Sequence, residues 1–246
     1  MSATAAVTAN ITTRLLLGSR RAATVGLVLL LPILIAVIFQ ATGNDETTPA
    51  EFALDLVEAL ILTVLLPLVA LVLGTTALGS EVEDGTIVFM LSKPIDRWRV
   101  LVVKAGVAAA ATAALAVPAT VATTWIIVGS PGEDGLVPGL GLAALVASVV
   151  YSVVFVALST ITSRALVAGL VYVFVWESTL TNLFTDLAWV SVRQYGTGWA
   201  AAVITAPEFD HELSTPAAVV MSLLVVAVAL VVGSNRLGAF EIGERA

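Results

Sequence analysis

LGLAALVASVVYSVVFVALSTI, residues 140–161, runs without one charged side chain. As a helix rising ~1.5 Å per residue, it is long enough to cross a hydrocarbon layer of ~30 Å. Five further apolar runs lie on either side of it: Ala22–Phe39, Ala59–Leu78, Ala105–Val128, Ala165–Leu183 and Thr215–Val232. The fifth run in chain order is the weak one, because Glu177 interrupts it. In lipid each run must satisfy its own N–H and C=O groups, which a helix does. Barrel strands would alternate over about ten residues, and no such alternation is present. Pro32, Pro67 and Pro118 fall inside runs, where membrane helices tolerate a kink. Apolar residues make up 59% of the chain and charged residues 12%, half of the roughly 25% that a soluble surface needs. The reading is an all-α polytopic membrane protein, a single transmembrane domain over residues 1–246 with six transmembrane helices.

The basic residues orient it. Arg14, Arg20 and Arg21 precede the first run; Lys93, Arg97, Arg99 and Lys104 separate the second from the third. Arg164 lies between the fourth and fifth, Arg236 and Arg245 follow the sixth, and Arg193 alone has the opposite parity. The positive-inside rule then puts both termini in the cytoplasm and the chain in the cell (inner or plasma) membrane. Asp45, Glu46, Glu51, Asp55, Glu58, Glu133, Asp134, Asp186, Glu208, Asp210 and Glu212 collect on the other side and account for the net charge of -7. A solvated or salt-adapted outer face is the ordinary explanation, and a cation-attracting vestibule the alternative. Nucleic acid is not an expected partner. The chain has no cysteine, hence no disulfide or thiolate chemistry. Its N-terminus lacks a cleavable signal pattern, and Ile11–Arg21 reads as a half-apolar interfacial helix, leucines down and arginines at the headgroups.

Most connections are short. The exception on the inner side is GSEVEDGTIVFMLSKPIDRWR, residues 79–99. Ser80 and Glu83 have capping-box spacing, so a short helix is expected to start there. Ile87–Leu91 is an apolar cluster facing the cytosol, and Pro94 stops the helix. Leaving such side chains in water costs about 1.5–3 kcal/mol each. Either the membrane surface and the protein's own helices cover them or a partner's groove does; the groove is the preferred reading.

The longer stretch LGSEVEDGTIVFMLSKPIDRWRVLVVK, residues 78–104, resembles the signature of type-two ATP-binding-cassette (ABC) exporter permeases. Glu81, Glu83, Gly85, Thr86, Leu91, Pro94, Ile95, Arg97 and Lys104 match the pattern, and the six-span layout and basic N-terminal segment agree with it. The resemblance implies that the loop is a coupling helix docking into a cytosolic ABC ATPase, with Glu81, Glu83, Gly85, Thr86, Val88, Phe89, Leu91, Pro94 and Arg97 forming the coupling contact. No Gly-x4-Gly-Lys-Ser/Thr phosphate loop occurs. The chain is therefore not expected to be an enzyme. It would carry no cofactor, ATP and Mg being bound by the partner ATPase. Six spans are half of the usual membrane unit, which implies a second permease copy, either a homodimer or a paralogue.

The second unusual segment follows Glu177. Counted from Arg164, Glu177 lies ~20 Å from the inner boundary, so it should face protein or a water-filled cavity. The resemblance implies a re-entrant outer segment at about residues 180–206, before the last helix. Asp186, Arg193 and Tyr195 are candidate polar partners for Glu177. A hydrogen bond bracing the re-entrant helices is the preferred role, and a direct substrate or ion role the alternative. His211, beside Asp210 and Glu212, lacks a second strong ligand, so no metal is expected there. Asp55 and Glu58, one helical turn apart, read as solvated. Trp125, Trp189, Trp199 and Tyr195 read as an outer aromatic belt. Ala105, Ala109 and Ala113 read as a close-packing stripe. No catalytic constellation is present. The expected function is an ATP-driven export permease; the alternative is a force-transmitting membrane subunit acting on an extracytoplasmic partner protein. The cargo is not legible.

Overall fold

The computed structural model describes residues 26–43, 47–83, 97–130, 134–162, 164–181 and 189–239. Among these residues every regular element is helical. We number them α1 (Leu30–Thr42), α2 (Pro49–Leu56, continuing as a π-helix over Val57–Leu65 and as α-helix over Leu66–Glu83), α3 (Arg97–Val128), α4 (Leu136–Ile161), α5 (Ala165–Val171, continuing as a π-helix over Tyr172–Leu180), α6 (Val192–Ala200) and α7 (Thr215–Ala239). The expected interfacial helix at Ile11–Arg21 lies outside the described residues.

Among the described residues four helices are long and apolar enough to cross a membrane: Pro49–Leu78, Trp98–Val128, Leu136–Ile161 and Thr215–Leu237. Two shorter apolar helices, Gly26–Thr42 and Ala165–Thr179, overlap the first and fifth expected runs. α2, α3 and α4 begin earlier than hydropathy alone suggests, and for α2 capping chemistry rather than apolarity sets the start. The Thr48 hydroxyl accepts from the Glu51 N–H at 3.2 Å and Pro49 occupies the first turn, so α2 starts ten residues before Ala59 and takes in Asp55 and Glu58. Gly135, with φ 66°, precedes α4, and a Cβ there would overlap the Val203 carbonyl. At the other end, α2 continues through Glu83. The helix start expected at Ser80 is therefore absent, since an already propagating helix needs no new N-cap.

Pro67 gives a physical reason for the π-helical stretch before it. A proline removes one N–H and crowds the carbonyl four residues back, here that of Thr63, and wider turns relieve both. α3 runs unbroken through Pro118. Buried hydroxyls on α3 return to their own helix: Thr112, Thr120, Thr123 and Thr124 each donate to the carbonyl four residues back, at 2.7–2.9 Å. Across the helix pair, Ser152 Oγ of α4 donates to Thr112 Oγ1 at 3.1 Å.

α4 is the central post. It packs against α2, α3, α6 and α7, and 72% of its most apolar window is buried, against 17% for α7. Ala105 and Ala109 of α3 are buried, as are Ala143, Ala144 and Ala147 of α4. Outward from this core the surface is apolar: Leu30, Leu31, Leu34 and Ile38 on α1, and Val220, Leu223, Leu224, Val228 and Val231 on α7, are at least 46% exposed. A contiguous apolar surface of that extent needs lipid or another subunit beside it. α1 is fixed at its far end by Gln40, whose amide donates to the Ile126 and Ile127 carbonyls at 2.7 and 2.9 Å, filling acceptors that the last turn of α3 leaves open. Phe39 stacks on Phe52 of α2, ring centroids 4.0 Å apart.

Candidate functional site

The one acidic side chain inside an apolar run, Glu177, is completely buried. It sits in the π-helical part of α5, where Ser178 and Thr179 hydroxyls bond the carbonyls of Val173 and Phe174, five residues back. Three donors converge on its Oε1: Tyr151 Oη from α4 at 2.7 Å, Ser191 Oγ at 2.8 Å and the Arg193 backbone N–H at 2.7 Å. Tyr172 Oη approaches Oε2 at 3.4 Å. Ser191 is the N-cap of α6 and also accepts from the Gln194 N–H. Glu177 thus supplies an acceptor from another helix to the first turn of α6, whose N–H groups have no partner within their own helix and whose dipole favours an acid there.

The side chain of Arg193 turns the other way, towards α2. Its Nη1 lies 3.4 Å from Glu58 Oε2, with the two side chains 13% and 27% exposed. One residue therefore joins the π-helical parts of α5 and α2, by its main chain and its side chain respectively. Tyr195 Oη donates to the Trp189 carbonyl at 2.7 Å, and Trp176 Nε1 lies 3.4 Å from the Val190 carbonyl. Burial, and after it the nearby Glu177 carboxyl, push the Tyr195 hydroxyl up to about 12, so it remains a donor. Beside this brace lies a cavity of about 280 Å³, lined by Glu58, Thr181, Arg193, Gln194, Thr197, Asp210, His211 and Glu212. Gln194 Nε2 bonds Glu212 Oε2 at 3.2 Å, and the His211 ring stacks on Phe209.

Several expectations are corrected here. Glu58 is not a solvated carboxyl but half of an interhelix ion pair, since α2 starts early enough to carry it into the bundle. Arg193 reaches Glu177 through its backbone N–H, and Tyr195 Oη donates to the Trp189 carbonyl rather than to Glu177. Tyr195 is fully buried and so is no belt residue, whereas Trp125 and Trp189 are half exposed. Asp186 lies outside the described residues. Tyr151, Tyr172 and Ser191 were missed. Tyr151 was findable, because a hydroxyl in the middle of a chargeless run needs a partner.

The proposed coupling residues are only partly described. Glu81 and Glu83 lie on the last turn of α2 and Arg97 opens α3. Gly85, Thr86, Val88, Phe89, Leu91 and Pro94 lie outside the described residues. Lys104 counts in the sequence among the basic residues between the second and third runs. It lies inside α3 instead, 1% exposed, because that helix starts at Arg97.

Long apolar helices around a central post, with a buried acid bracing a short amphipathic helix, point to a multi-pass membrane protein. Residues 15–240 match the family described as ABC-2 family transporter protein, and the chain belongs to that family. Membership makes it a membrane permease subunit of an ABC transporter, working in the lipid bilayer with an ABC ATPase. Comparison with curated proteins gave no match.

Proposed function

We propose that the chain is one half of the membrane unit of an ATP-driven exporter. Six spans with both termini in the cytoplasm pair with a second copy or a paralogue, and residues 79–99 dock on the ATPase. Family membership over residues 15–240 carries this reading. The helix lengths support it: α2 and α3 are the two long helices that flank the loop, and both pack on α4, which also carries α6. A push on the loop thus has a rigid route to the segment between α5 and α7. Purification in detergent should bring down an ATPase with the chain. Reconstitution of the pair in vesicles should give ATP hydrolysis that depends on both subunits and outward movement of a solute. Hydrolysis unaffected by the permease would overturn the proposal.

A force-transmitting role on an extracytoplasmic partner is the second reading, favoured by the exposed pair Trp189 and Val190 at the start of the α6 segment. Coupled hydrolysis with a cross-linked outside partner, and no solute movement, would select it.

A further inference from the structure

Lys104 is the buried cation that the site above does not use. It is 1% exposed, and its Nζ donates to the Ala77 carbonyl of α2 at 2.8 Å. Ala77 belongs to a buried apolar cluster with Leu73, Leu78, Leu101, Ala105 and Leu237. A cation kept in such surroundings is costly unless it is held by acceptors, and its presence inside an apolar bundle marks function more often than packing. Its position is specific. Ala77 stands near the end of α2 and Lys104 two turns into α3, so the bond closes the 27-residue separation that contains the whole loop 79–99. A charge-assisted bond from side chain to main chain ties the helices by their backbones, so it survives sliding of apolar side chains past one another.

We propose that Lys104 is a positioning residue that pins α3 to α2 above the loop, so that displacement of the loop moves both helices as one lever instead of spreading them. The inference rests on the permease reading for the source of the displacement, but the pin itself does not. A structural role alone would predict that an apolar side chain of similar length serves as well. The pin predicts that it does not.

The chain has no native cysteine, so pairs of cysteines report cleanly. Spin labels at Val72→Cys and Val102→Cys should give a narrow distance distribution in the otherwise unchanged protein and a broader one with Lys104→Met, while Lys104→Arg restores the narrow one. Expression and thermal midpoint should stay near those of the parent. In vesicles with the copurifying ATPase, permease-dependent hydrolysis should fall about fivefold or more with Lys104→Met, the lower end of a typical coupling effect. If the Met variant does not insert, Lys104→Gln carries the same comparison. An unchanged distance distribution, or a broadened one with undiminished coupling, overturns the proposal. Hydrolysis that is independent of the unmodified permease sinks the permease reading instead, and the distances still decide the pin.

Discussion

Glu177 and Glu58 both sit on π-helical turns and both reach α6, yet their environments rank them far apart. Glu177 is fully buried and accepts from the Arg193 backbone N–H in the first turn of α6. Replacing it with Leu strands that N–H and two hydroxyls, at about 1–3 kcal/mol for each group left unsatisfied. Glu177→Gln keeps an accepting oxygen and should hold most of the stability. Thermal unfolding in detergent should therefore order the proteins as parent, then Gln, then Leu by a wide margin. A Leu variant as stable as the parent would remove the bracing role, and a stable Gln variant without transport would assign the charge a direct part in substrate handling. Glu58→Gln should cost much less, under ~1 kcal/mol. Its ion pair is long and partly open to water, where screening weakens it.

Among the elements, α4 depends on its entry. Gly135 holds a left-handed conformation against the Val203 carbonyl, so Gly135→Ala combines backbone strain with a clash. The strain alone is about 1–3 kcal/mol. The loss should appear as a lowered unfolding midpoint, and a neutral result would mean that the turn relaxes without cost. The loop between α2 and α3 makes the functional counterpart. Phe89→Asp should abolish association with the ATPase, or its stimulation, and leave membrane insertion intact, because an unpaired charge buried at an interface costs several kcal/mol. Pull-down from detergent reads this directly. Full ATP-dependent function in that variant would exclude the cluster as the docking contact.

For the whole molecule, the distribution of basic residues predicts a topology that single cysteines can test on a cysteine-free background. Cysteines at Asp45 and Glu133 should react with an impermeant maleimide from outside, and tags at either terminus should be reachable only from the cytoplasm. An outside C-terminus would defeat the six-span arrangement. Much of this scale was legible beforehand. Charge-free runs such as residues 140–161 announce membrane helices, because each backbone must satisfy itself in lipid whatever its neighbours do. The acid in the fifth run was legible for a similar reason, because a charge in an apolar run is a local contradiction that the chain itself displays, and the motif around Glu81–Arg97 pointed to the family that residues 15–240 match. Partnerships were not legible. Hydropathy counted Lys104 among the basic residues between two runs and assigned Glu58 to solvent; the folded chain buries the first inside α3 and pairs the second with Arg193, whose backbone N–H also reaches Glu177. Those outcomes depend on where a helix begins, which a single cap such as Thr48 shifts by ten residues, and on which faces meet across separations of 14 to 135 residues. Solvation energy is a property of each residue and can be read along the chain, whereas a hydrogen bond needs two groups within about 3 Å, a condition that only the packed helices satisfy.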